Sequence, residues 1–149
     1  MSTSITIVDL PAASPWWQRG GLTTLTALRP ALDEESLQRV LVEGAGEGLR
    51  YHGAVVEDRC VGVAGWRIMT TTVFGRSAYI DDLVVDPESR SAGIGRALLE
   101  FVAADAAARG AATLTLDSAV HRVGAHRFYF RERLHVAAFH FVRDLAPPQ

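Results

Sequence analysis

The segment from Asp82 to Leu99, DLVVDPESRSAGIGRALL, combines an apolar run, a turn and a glycine-bearing loop that opens directly into an amphipathic stretch. Leu83, Val84 and Val85 read as a buried strand, Pro87 breaks it, and Gly93 and Gly95 sit where a helix must begin. The first amides of a helix lack intrahelical acceptors, and the macrodipole adds partial positive charge beside them. The backbone N–H groups of Gly93, Ile94, Gly95, Arg96 and Ala97 therefore predict an anion cradle, to which Arg90 and Arg96 can add charge-assisted contacts. Any fold for this chain must place a strand, a crossing loop and a helix N-terminus in register.

The flanking sequence supplies the other elements. Ser4–Val8 alternates as a first strand, and Gly21–Leu28 predicts a short helix ending before Pro30. Asp33 reads as the N-cap of a second helix, with Ser36, Leu37, Val40 and Leu41 at helical spacing and Gly44 as its stop. Tyr51–Val56, Cys60–Thr71 and Ser77–Val85 form an antiparallel meander, joined through Glu57-Asp58-Arg59 and Phe74-Gly75-Arg76. After the cradle, Ile94, Leu98, Phe101, Val102 and Ala106 share one helix face, and Gly110 ends that helix. Ala111–Leu116 then predicts a strand parallel to the one before the helix, reached by a right-handed crossover. Val123–Leu134 reads as a last helix and Val136–Leu145 as a closing strand. At 149 residues without a long linker, the chain is expected to form a single domain, residues 1–149.

Composition removes several chemistries. All 15 Lys+Arg residues are arginine, so Schiff-base, pyridoxal-attachment and P-loop lysine roles have no residue to carry them. Cys60 is the single cysteine, which rules out an intramolecular disulfide and a multi-cysteine zinc site, and Arg59-Cys60-Val61 suits a packed thiol. A net charge of −2 argues against general nucleic-acid binding, and no apolar run is long enough to span a bilayer. The N-terminus lacks a basic region and acquires Asp9 early, so a cytoplasmic location is expected. A dinucleotide-binding reading of Gly93-x-Gly95 fails because Leu98 occupies the third glycine position and seven residues separate Val85 from Gly93.

Arg90-x-x-Gly93-x-Gly95, followed about thirty residues later by Ala125-x-x-Phe128-Tyr129, resembles the GNAT superfamily of N-acetyltransferases. With Asp117-Ser118 and Phe139-His140-Phe141, the string is similar to the branch that contains aminoalkylphosphonate acetyltransferases. The resemblance implies an α/β (α+β) fold with a mixed, mostly antiparallel central sheet of six to seven strands and about four helices. It implies transfer of an acetyl group from acetyl-CoA, as cosubstrate and without a metal, to a primary amine on a small molecule or protein. Pairing through the last strand is common in the superfamily, which leaves a homodimer open. An inactive acyl-CoA-binding or partner-binding module of the same fold is the alternative. The chain departs from the family pattern at Arg133 and Leu134, where a glycine and an aromatic usually permit a tight helix-to-strand turn.

The resemblance also distributes roles. The pyrophosphate would lie on Arg90, Ser91, Ala92, Gly93, Ile94, Gly95, Arg96 and Ala97, and the pantetheine amides would pair with the backbone of Leu83, Val84 and Val85. Tyr129 would be the general acid that protonates the departing sulfur. The residues themselves offer Asp82 and Asp81 as bases, only one of which faces the cleft if the strand alternates regularly. His52, His121 and Ser118, acting through water, are further options. The basic stretch Ala119–Arg143, rich in arginine and histidine with Glu132 its one acid, suits a solvated face or an anionic ligand. Nothing in the sequence identifies the acceptor.

Overall fold

The computed structural model describes residues 4–90 and 92–146, which fall into two compact units that meet in sequence between Leu116 and Asp117. The first unit is built on a five-stranded sheet in the order β1-β2-β3-β4-β5, comprising Thr6–Asp9, Arg50–Val56, Arg59–Thr71, Gly75–Val85 and Thr113–Leu116. The first three pairings are antiparallel, and β4 and β5 run parallel on either side of helix α3, Ile94–Ala108. The sheet thus has five strands, short of the six to seven that the resemblance implied.

Alternating side chains send two apolar faces outward from this sheet. On one face Tyr51, Val63 and Val84 join Leu25 of α1 (Gly21–Leu28) and Leu37 and Leu41 of α2 (Glu34–Gly46) in a single buried cluster. On the other, Gly62 lies against Ile94 and Leu98 of α3, and His52 packs against Phe101. The α1 boundaries match the sequence expectation. Helix α2 begins at a capping box, in which Asp33 accepts from the Ser36 amide at 2.8 Å and Ser36 Oγ accepts from the Asp33 amide at 2.9 Å. It runs past Gly44, whose missing side chain makes room for Leu49, and turns at Gly48.

Two features of β4 shape the region beside it. Its register on β3 shifts between Gly65 and Trp66, where Gly65 pairs with Asp82 and Trp66 with Ile80, so Asp81 is the extra residue of a β-bulge. Along its other edge β4 pairs with β5 only from Ser77 to Ile80. Among the described residues, no strand pairs with that edge over Asp81–Val85.

The second unit contains α4, Val123–Arg131. Arg133 follows its C-cap with φ +69°, and the Arg133 and Leu134 amides donate to the carbonyls of Phe130 and Tyr129. These are the two bonds of a Schellman motif, so Arg133 adopts the left-handed turn that a glycine would make and the tight turn is kept. The strand expected over Val136–Leu145 does not form: the segment has no ladder partner among the described residues, and Phe139, Phe141 and Val142 are 82%, 90% and 79% exposed. Its apolar residues, Val136, Phe139, Phe141, Val142 and Leu145, do not alternate strictly, and β-propensity without a paired edge does not make a strand.

Candidate functional site

The bulge at Asp81 decides how the two adjacent carboxylates are used. Regular alternation would have sent Asp81 and Asp82 to opposite faces; the extra residue turns both toward the α1/α2 face. Asp81 is held by Arg67 through two bonds of 2.8 and 3.0 Å, and Arg67 also lies 3.9 Å from Glu47 at the C-cap of α2. Burial pushes the Asp81 carboxyl above its ordinary value against the pull of that guanidinium. These two bonds tie the Asp81 side chain of β4 to β3.

Asp82 is set differently. Its side chain is 11% exposed; Oδ2 accepts from the Tyr51 hydroxyl at 2.6 Å and Oδ1 from Arg29 Nε at 2.9 Å. Arg29 Nη2 lies 2.9 Å from the same oxygen and also donates to the Asp81 carbonyl. Pro30 forces Arg29 out of helical geometry, to φ −122° and ψ 79°, and this ends α1 with the guanidinium turned toward β4. Tyr51 reaches Asp82 across Gly65, where a Cβ would collide with the tyrosine ring. Burial first, and the adjacent Asp82 charge second, push the Tyr51 phenol well above its ordinary value near 10, so it stays a donor.

A cavity of about 390 Å³ opens beside Asp82. Leu25, Leu32, Leu37 and Val40 form its apolar wall, and Arg29, Tyr51 and Asp82 gather at its polar end. This is the size and character of a small-molecule site.

Three residues beyond Asp82, β4 leaves the sheet for the cradle. Leu83 and Val84 are buried side chains and Val85 is half-buried, so what this stretch can offer a ligand is backbone. Pro87–Ser89 makes one 3-10 turn, capped by Asp86, which accepts from the Glu88 amide. Gly93 is the N-cap of α3 at φ +80°, a conformation that favours glycine, and among the described residues no side chain caps the helix. Intrahelical bonding begins with the Ala97 amide donating to the Gly93 carbonyl at 3.0 Å. Ala97 is thereby committed to the helix, and the amides of Ile94 and Gly95 precede this first intrahelical donor. Arg90, Ala92 and Arg96 are exposed, Ile94 is buried, and Gly95 and Ala97 are half-buried. Ser91 lies outside the described residues.

Tyr129 is a buried residue of α4 in the second unit. Burial raises its phenol above the usual value near 10, with Arg122 pulling partly back, so the group is protonated at neutral pH. His126 of the same helix lies 2.9 Å from the Ala119 carbonyl, which ties down the segment before α4. His52, one of the water-chain options, is buried on the α3 side of the sheet, away from Asp82. Cys60 is fully buried, and burial pushes its thiol up to about 11, which leaves it a packing residue.

Sequence reasoning named Asp82 and the loop before α3 as candidates and did not name Arg29, Tyr51 or Arg67, which meet around Asp82 and Asp81. Two signals were present: an arginine kept out of helical geometry by the next proline, and Gly65 inside a strand, where a missing side chain marks a close approach.

Known structures share this architecture. A ribosomal-protein-alanine N-acetyltransferase from Brucella melitensis biovar Abortus 2308 superimposes with TM-score 0.79 at 19% identity, over 95% of this chain and 100% of that one. An aminoglycoside acetyltransferase from an uncultured soil metagenomic sample gives 0.76 at 20% identity, over 95% and 97%. Glucosamine-6-phosphate N-acetyltransferase from Arabidopsis thaliana gives 0.76 at 18% identity, over 96% and 99%. No curated protein sequence matches the chain. At these identities the structural likeness speaks for the fold, and the sequence itself carries the family assignment: the pattern of the acetyltransferase (GNAT) family runs from residue 14 to residue 135, through the Asp82 pocket, the cradle and Tyr129. The chain belongs to that family.

Proposed function

We propose that the whole chain acts as one acetyl-CoA-dependent N-acetyltransferase domain, in which a primary amine attacks the bound thioester directly in a ternary complex. The observation that carries this reading is the layout of β4. One strand leads from a carboxylate in a pocket, Asp82, along Leu83–Val85, an edge that is unpaired among the described residues, to a helix N-terminus at Gly93 that no described side chain caps. An amine, a pantetheine arm and a pyrophosphate need those three things in that order.

The chain's own groups supply the proton movements. An ammonium docked on Asp82 loses one proton through that carboxylate to solvent and becomes the nucleophile. As its nitrogen bonds to the acetyl carbon, a second proton leaves the nitrogen by the same route. The carbon–sulfur bond breaks, and the thiolate takes a proton from the Tyr129 hydroxyl, which solvent restores. The net change is ammonium plus acetyl-CoA to acetamide, free CoA thiol and one proton. Asp81, held by Arg67, positions the bulge, and a backbone amide near Leu83 or Val84 faces the developing oxyanion. No covalent acetyl-enzyme is needed, which suits a buried, protonated Cys60.

The structural neighbours' names cover acceptors as different as an aminoglycoside and a sugar phosphate, so the fold leaves the acceptor open, and aminoalkylphosphonates enter through the branch resemblance. Among the described residues no helix is long and apolar enough to cross a membrane, and a cytoplasmic location is part of the proposal. Thermal unfolding with and without acetyl-CoA tests the reading. Acetyl-CoA is expected to raise the melting temperature of the native protein and not of Gly93→Val, and Tyr129→Phe is expected to lower kcat about a hundredfold with binding intact. Binding without turnover of any amine would support an inactive acyl-CoA-binding module instead.

A further inference from the structure

We infer that the acceptor is a compact primary amine carrying an apolar or aromatic group, and that polyamines, aminoglycosides and aminoalkylphosphonates are poor acceptors. This rests on the acetyltransferase reading and concerns the pocket beside Asp82. The wall of that pocket, Leu25, Leu32, Leu37 and Val40, offers hydrocarbon and no charge. Its one charged end holds Asp82 and Arg29, with the Tyr51 hydroxyl already donated to Asp82.

The pocket's one anionic lining group is Asp82, on which an ammonium can dock. A phosphonate would add negative charge beside Asp82, and a second ammonium or a ring of hydroxyls would be buried against leucine without partners. Arg29 gives Nε and Nη2 to Asp82 and the Asp81 carbonyl, and so orders the base. A hydrocarbon chain or phenyl ring has a wall to fill in a cavity of about 390 Å³. Val40 is then a specificity-determining residue: it lines the apolar wall and is itself 39% exposed at the rim.

The test compares phenethylamine and isoamylamine with spermidine, kanamycin and 2-aminoethylphosphonate, as kcat/KM by thiol release and as binding by ligand-observed NMR. The apolar amines are expected to exceed each of the others at least tenfold in kcat/KM and to show saturation transfer even without acetyl-CoA. Val40→Gln, at a rim position that tolerates a polar side chain, is expected to lower kcat/KM for phenethylamine about tenfold with the KM for acetyl-CoA unchanged. Leu37→Asn should do the same more strongly, but it is a core residue, so Val40→Gln carries the test if Leu37→Asn does not fold. Equal or better turnover of spermidine, kanamycin or the phosphonate would overturn the substrate class while leaving the acetyltransferase reading standing. Binding of apolar amines with no turnover would leave the pocket assignment standing and overturn that reading, and an absence of both would overturn the two together.

Discussion

At the scale of single residues, the site depends on a glycine that touches no ligand. Gly65 lies under the Tyr51 ring, and only the absence of a side chain there lets the hydroxyl come within 2.6 Å of Asp82. Gly65→Ala should push that ring aside, cost about 1–3 kcal/mol through overpacking, and raise the acceptor KM with little effect on the KM for acetyl-CoA. Denaturant melts read beside the two KM values check this; an acceptor KM that stays put would detach Tyr51 from the pocket. The example also shows where sequence reading stops. Asp82 was legible as a carboxylate on the strand before the cradle. Its partners, Arg29 and Tyr51, lie 53 and 31 residues away in the chain and meet it only through tertiary packing. No local pattern encodes that meeting.

At the scale of elements, three helices end in the same way with different residues. Helices α2, α3 and α4 each close with paired 5→2 and 6→1 bonds around a left-handed residue, and that residue is Gly48, Gly110 and Arg133 in turn. The first two glycines bear no Cβ penalty, whereas Arg133 at φ +69° bears one of about 1 kcal/mol. Arg133→Gly is therefore expected to stabilise the protein by about 1 kcal/mol, read as a shift in urea midpoint at constant m-value. An unchanged or lowered midpoint would contradict the strained-turn account. Periodicity and caps made α1 and the Asp33 start of α2 readable from sequence, because those signals are local. The bulge at Asp81 and the unformed strand at Val136–Leu145 were not readable, since both are set by which edge a strand finds.

At the scale of the whole molecule, the fold divides its buried polar groups between the two faces of the sheet. The α1/α2 face carries the charged cluster at Asp82, and the α3 face carries His52. The Trp66 indole N–H donates to His52 Nδ1 at 3.0 Å, which fixes the neutral tautomer and leaves Nε2 to donate to Asp9 at 3.1 Å. Burial lowers the His52 value below 6.5, with the exposed Asp9 opposing it. The unfolded chain therefore binds this proton more readily than the folded one. The stability that His52 contributes is complete above pH 6.5 and is lost as the pH falls from there through the lower folded value. Melting temperatures should drop between pH 8 and pH 5, and His52→Gln should narrow that drop; an equal drop in the variant would assign it to other groups. The central claim concerns the opposite face and is tested most directly by measuring free CoA thiol and acetylated amine together as phenethylamine is added with acetyl-CoA. The account predicts equal amounts of both, thiol release that depends on the amine, and a loss of at least a hundredfold in Asp82→Asn with acetyl-CoA binding retained. Thiol release that ignores the amine, or that survives Asp82→Asn, would contradict it.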